Sequence, residues 1–93
     1  MQLPKKHTVR FVIQQIRSGG KARLRIVVYG DTLAHGHSDF EDVSSLLAAL
    51  HKAIPGFDDA RISLRELEDG HVAVLFAEEL ELDHAQLSLL GLA

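Results

Sequence analysis

Two alternating runs hinged on a Gly-Gly pair constrain this chain more than any other feature. Val9, Phe11 and Ile13 alternate with other residues before Ser18-Gly19-Gly20-Lys21, and Leu24, Ile26 and Val28 alternate after it. A period of two marks a half-buried strand. Glycine supplies the positive φ angles that a two-residue hairpin turn needs. The segment therefore reads as a hairpin of strands 8–17 and 22–30. Its register follows from the turn: Arg17 faces Ala22, Ile13 faces Ile26 and Phe11 faces Val28. Opposed residues share a face, so the apolar sets coincide. The other face then pairs Arg10 with Tyr29, Val12 with Val27, Gln14 with Arg25, and Ile16 with Arg23.

Further along, Ser38-Asp39-Phe40-Glu41 has capping-box spacing. Phe40, Val43, Leu46, Leu47, Leu50 and Ile54 recur at helical spacing. Together they predict a helix over 39–54, ended by Pro55-Gly56. Residues 60–67 predict a third strand with Ile62 and Leu64 inward. Residues 71–77 predict a fourth with Val72, Val74 and Phe76 inward. A three-residue loop, Glu68-Asp69-Gly70, keeps those sets on one face, with Leu64 opposite Val74 and Ile62 opposite Phe76. In the tail, Asp83 and Gln86 have the spacing of a helix start, Leu87 and Leu90 its buried positions, and Gly91 its stop. Leu80 and Leu82 also continue strand parity.

The predicted fold class is α+β: a two-layer sandwich, β-β-α-β-β(-α), with a four-stranded antiparallel sheet covered on one face by helix. The predicted strand order is 1-2-4-3, because the second and fourth strands carry near-continuous apolar runs suited to central positions. The 93 residues make one small domain, with 1–7 a flexible arm and 78–93 a C-terminal tail forming a short helix. A domain this small buries only about two-thirds of its unfolded surface and gains from assembly.

Net charge is −3, so bulk attraction to nucleic acid or an anionic membrane is not expected. Without cysteine, disulfides, thiolate metal sites and cysteine nucleophiles are excluded. The polar start, with Pro4, lacks the apolar core of a signal peptide. No run approaches the ~20 apolar residues that span a bilayer. These features predict a cytoplasmic protein without membrane contact.

The functional signal is the predicted outer sheet face. It carries Arg10, Arg23, Arg25, Arg61 and Arg65 among Tyr29, Val12, Ile16, Val27, Leu67, Ala73 and Leu75. Arginine mixed with aromatic and aliphatic residues is the composition of interface centres. The expected partner is a second copy, a dimer being favoured over larger assemblies, with an unidentified protein as the other candidate. Apolar burial would come from Val12, Val27, Tyr29 and Leu75, and orientation from the arginines. Single-stranded nucleic acid is disfavoured, because a stacking platform needs several aromatic rings and Tyr29 is the one outward aromatic.

A second candidate is the loop His35-Gly36-His37-Ser38-Asp39. Two imidazoles and a carboxylate could converge on a divalent metal such as Zn²⁺, given one further ligand. Helix capping accounts for Ser38 and Asp39 without metal, and no cofactor is expected. No Ser-His-Asp triad can be assigned. Asp58-Asp59 and Glu78-Glu79 lie at element ends with no cleft implied. Gly19-Gly20 lacks the strand-to-helix context of a phosphate loop. The sequence thus predicts a non-enzymatic association domain.

Overall fold

The structure, a computed structural model, describes residues 5–30, 36–65 and 67–92. In chain order it contains β1 (Lys6–Ser18), β2 (Lys21–Tyr29), β3 (Gly36–Phe40), α1 (Val43–Ala53), a 3-10 turn (Asp59–Arg61), β4 (Val72–Asp83) and α2 (His84–Leu89). The strands form one antiparallel sheet in the order β3-β2-β1-β4. The α+β class with a four-stranded antiparallel sheet is therefore as predicted.

The hairpin follows its local chemistry. Gly19 and Gly20 have φ of 61° and 82°, the left-handed values that glycine adopts without strain. Every expected cross-strand pair forms, from Arg10 opposite Tyr29 to Arg17 opposite Ala22. The strand also starts earlier than predicted, since Lys6 and His7 belong to β1 and pair with Asp83 and Leu82. Of the rest of the expected arm, Lys5 is exposed and precedes the strand, and residues 1–4 lie outside the described residues.

The sheet's inward side set is Val9, Phe11 and Ile13 from β1 and Leu24, Ile26 and Val28 from β2. Leu46, Leu50 and Ala53 of α1, Leu87 of α2 and the adjacent Leu90 close over it. Phe76 meets Phe11 edge-on, with centroids 6.0 Å apart, and lies 5.4 Å from Phe57. Residues 78–83 of the expected tail continue β4, and the short helix that follows matches its signals. Asp83 accepts from the Gln86 amide at 2.8 Å, and Gln86 Oε1 accepts from the Asp83 amide at 2.9 Å. Gln86 Nε2 also donates to the Ala53 carbonyl at 3.1 Å, tying α2 to the end of α1.

Three expectations need correction. First, the described residues of 60–67 form no strand. The Asp58 carboxylate accepts from the Ala60 amide at 3.0 Å and starts the 3-10 turn. Ile62 and Leu67 still pack on the core, but Leu64 is 61% exposed. The expected Leu64–Val74 and Ile62–Phe76 pairs are absent, and Ser63 donates one backbone bond to Leu75.

Second, the remaining sheet position is taken by residues 36–40, which pair with β2. An edge strand needs backbone bonds to one neighbour only, so weak apolar alternation suffices. The helix consequently begins after Asp42, which accepts from the Ser45 amide at 2.7 Å, rather than after Ser38. With β3 on one side of β2 and β1 on the other, the fourth strand pairs with β1. In the expected 1-2-4-3 order it stood beside the second strand.

Third, the parity of β4 changes midway. Ile13 pairs with Phe76 and Gln14 with Val74, leaving Leu75 as the extra residue of a bulge. Leu75 and Phe76 are both buried, Ala73 turns inward, and Val72 and Val74 turn outward.

Candidate functional site

The outer face can be built from the register alone, because opposed residues of neighbouring strands point the same way. Nearest the hairpin turn, Val72, Ile16 and Arg23 form one rung. The next joins Val74, Gln14, Arg25 and Asp39, and the middle rung joins Ala77, Val12, Val27 and His37. Beyond it lie Glu79, Arg10 and Tyr29, then Glu81 and Thr8. Lys21, two residues before Arg23 on β2, extends the face towards the turn.

Six residues expected at this interface are therefore brought together: Arg10, Val12, Arg23, Arg25, Val27 and Tyr29. Three are not. Leu75 is 2% exposed within the core, because the bulge turns it inward. Arg61 belongs to the 3-10 turn, with its guanidinium carbon 5.3 Å from the Phe76 ring centroid and an ion pair to Glu78. It caps the helix side of the core. Arg65 is exposed in an irregular stretch outside the sheet. Ala73 and Leu67 likewise belong to the core side.

Sequence reasoning missed the contribution of β4. Val72, Val74, Ala77, Glu79 and Glu81 all share the outer face. Their signal was the alternation of Leu80 and Leu82 with Glu79 and Glu81, which fixes parity from the far end of the strand. Counting from Val72 gives the opposite answer, because the bulge intervenes.

Both helices bury against the inward set, and Val72, Val74 and Tyr29 remain 57%, 48% and 45% exposed. Val12 is only 8% exposed, shielded by the strands on either side of it. Arg25 stands between two shallow depressions of this face. One is bounded by Ile16, Ser18, Lys21, Arg23 and Asp39, the other by Gln14, Val27, Tyr29, Gly36 and His37.

Arg25 grips Asp39 with both arms of its fork: Nε donates to Oδ1 at 2.6 Å and Nη2 to Oδ2 at 3.1 Å. This bidentate geometry is the strong form of a carboxylate–guanidinium pair. The Arg25 hydrogen bonds hold the Asp39 carboxyl below its ordinary range; partial burial opposes this, and the charges of Arg25, His37 and Arg23 assist. The same bond pushes Arg25 higher still.

The pair also bears on the metal candidate. His37 and Asp39 do share a face, but both Asp39 oxygens already accept from Arg25. The third candidate, His35, lies outside the described residues. Among the described residues, no group of three His, Cys, Asp or Glu side chains could hold a metal ion. Nor is any described helix long and apolar enough to cross a membrane. No protein-family model, curated protein or solved structure matches this chain.

Proposed function

We propose that this chain is a non-enzymatic association domain whose outer sheet face packs on a second copy of itself. The observation that carries the reading is the middle of that face. Val27 and Ala77 stand partly exposed on either side of the covered Val12, flanked by Ile16 and by the half-exposed Val72 and Val74. Contiguous apolar surface of this kind marks contact sites on small proteins.

Both signs of charge surround the apolar centre: Lys21, Arg23, Arg25 and Arg10 against Asp39, Glu79 and Glu81. A surface that meets its own copy needs such balance, whereas a nucleic-acid platform needs net positive charge and stacked rings. The paired rungs measure roughly 30 by 20 Å from strand spacing and rise. Two such faces bury ~1,200 Å², the lower end of stable specific interfaces. The assembly is therefore a dimer that dissociates on dilution.

Native mass spectrometry across a wide concentration range tests this. The wild type is expected to run as twice the 10.3 kDa chain at high concentration. The double variant Val72→Lys/Val74→Lys alters two exposed positions and should run as a monomer with an unchanged circular dichroism spectrum. A wild type that stays monomeric throughout, or a variant that keeps the dimer mass, overturns the proposal.

A further inference from the structure

The charges of the outer face are sorted along the strands as well as balanced across them. Lys21, Arg23 and Arg25 occupy successive outward positions of β2 at the hairpin-turn end. Glu79 and Glu81 occupy successive outward positions of β4 at the opposite end. The apolar rung of Val12, Val27 and Ala77 lies between. Among the described residues, Lys21, Arg23, Glu79 and Glu81 make no ion pair. Asp39 is held by Arg25, and Arg10 stands opposite Glu79 on the neighbouring strand. Glu41 lines a shallow depression beside Lys21 and Arg23 but makes no ion pair with either among the described residues, so Lys21, Arg23 and Glu81 remain without an ion-pair partner.

A two-fold axis makes the same patch meet itself, so every contact occurs twice. If the two sheets stacked with their strands running the same way, like ends would meet and the charges would repel. If one copy is turned end for end, the cationic end of each covers the anionic end of the other, and the apolar rungs still meet at the axis. β2 and β4 are separated by one strand, roughly 10 Å across the sheet, so this match requires the two sheets to cross obliquely. Face-packed sheets do cross, at about 30°.

We propose, resting on the self-association reading above, that the copies stack outer face to outer face and end for end, with Lys21 and Arg23 of each over Glu79 and Glu81 of the other. The long dimension of the molecule, 50 Å against 25 and 18 Å, makes the two end-to-end orders well separated alternatives.

The test is a charge-reversal exchange. One variant carries Lys21→Glu and Arg23→Glu, the other Glu79→Arg and Glu81→Arg. Alone, each should dimerise about tenfold or more weaker than wild type, because like charges then face each other at both ends. Mixed, they should form a heterodimer of near-wild-type affinity, since both ends become complementary again. Native mass spectrometry separates the species by mass. Restoration in the mixture also shows that neither variant failed by unfolding. If the variants stay dimeric alone, or if the mixture forms no heterodimer while Val72→Lys/Val74→Lys still breaks the wild-type dimer, the end-for-end order is overturned and the face remains the interface. A monomeric wild type, or a dimer that survives Val72→Lys/Val74→Lys, overturns both.

Discussion

Ile26 and Val27 are neighbours on β2, yet one is fully buried under the helices and the other lies partly exposed on the open side. The two faces of this sheet share a backbone and differ in what they ask of side chains. The inward face is a continuous apolar layer from Val9 to Leu82, closed by α1 and α2. The outward face sets one mainly apolar rung between rungs that mix charged and apolar residues, and among the described residues no helix covers it. The first is what a chain of this size needs in order to fold. The second carries more aliphatic surface than solubility requires and more charge than a core tolerates, which is the composition of a contact surface.

The largest expected effect comes from breaking the inner face. Ile26→Ala should destabilise the monomer by roughly 2–5 kcal/mol, the range for emptying a filled core site. Val27→Ala should cost about 1 kcal/mol or less in a chemical-denaturation titration, while weakening the proposed dimer. Equal losses of monomer stability from the two would erase the distinction between the faces.

Gly91 tests the closure of the inner side. Its φ is 77°, and an added Cβ would stand 2.9 Å from the Ser38 hydroxyl on β3. Gly91→Ala should cost roughly 1–2 kcal/mol through the left-handed backbone alone, read as a lowered thermal midpoint. An unchanged midpoint would show that α2 and its cap can shift without disturbing the core.

The smallest effect belongs to the outer face. The Arg25–Asp39 pair is about one-third exposed, so Asp39→Asn should cost under about 1 kcal/mol. Its sign with pH is fixed by the lowered carboxyl. The stabilisation is fully present above the ordinary carboxylate value of 3.8. It fades as pH falls from there through the depressed folded value. Denaturant midpoints should therefore drop less steeply on acidification in Asp39→Asn than in the wild type. Parallel acid limbs would mean that the pair contributes nothing to folding.

Much of the candidate site was legible because the hairpin is a local object. Ser18-Gly19-Gly20-Lys21 fixes the turn, the turn fixes the register, and the register puts Arg10, Val12, Arg23, Arg25, Val27 and Tyr29 together. The helix at 84–89 was legible for the same reason: Asp83, Gln86 and Gly91 act within one or two turns. What failed was non-local. Ile62 and Leu64 alternate like a strand, but Asp58 bends the chain into a 3-10 turn beside them. Arg61, expected on the outer face, lies instead beside Phe76 on the core side. Gly36-His37-Ser38-Asp39-Phe40 has little strand signal and resembles a helix cap, yet Phe40 opposite Leu24 and Asp39 opposite Arg25 seat it on the sheet edge.

The sequence by itself determined the hairpin, its register, the C-terminal cap and the apolar residues that would be buried on β1 and β2, because each rests on a few residues close along the chain. Only the tertiary structure decided which strands flank that hairpin and which way β4 faces. A bulge of one residue at Leu75 reverses the parity of everything before it, and no local pattern announces where a neighbouring strand will require one. That single residue moves Leu75 into the core and puts Val72 and Val74 on the open face.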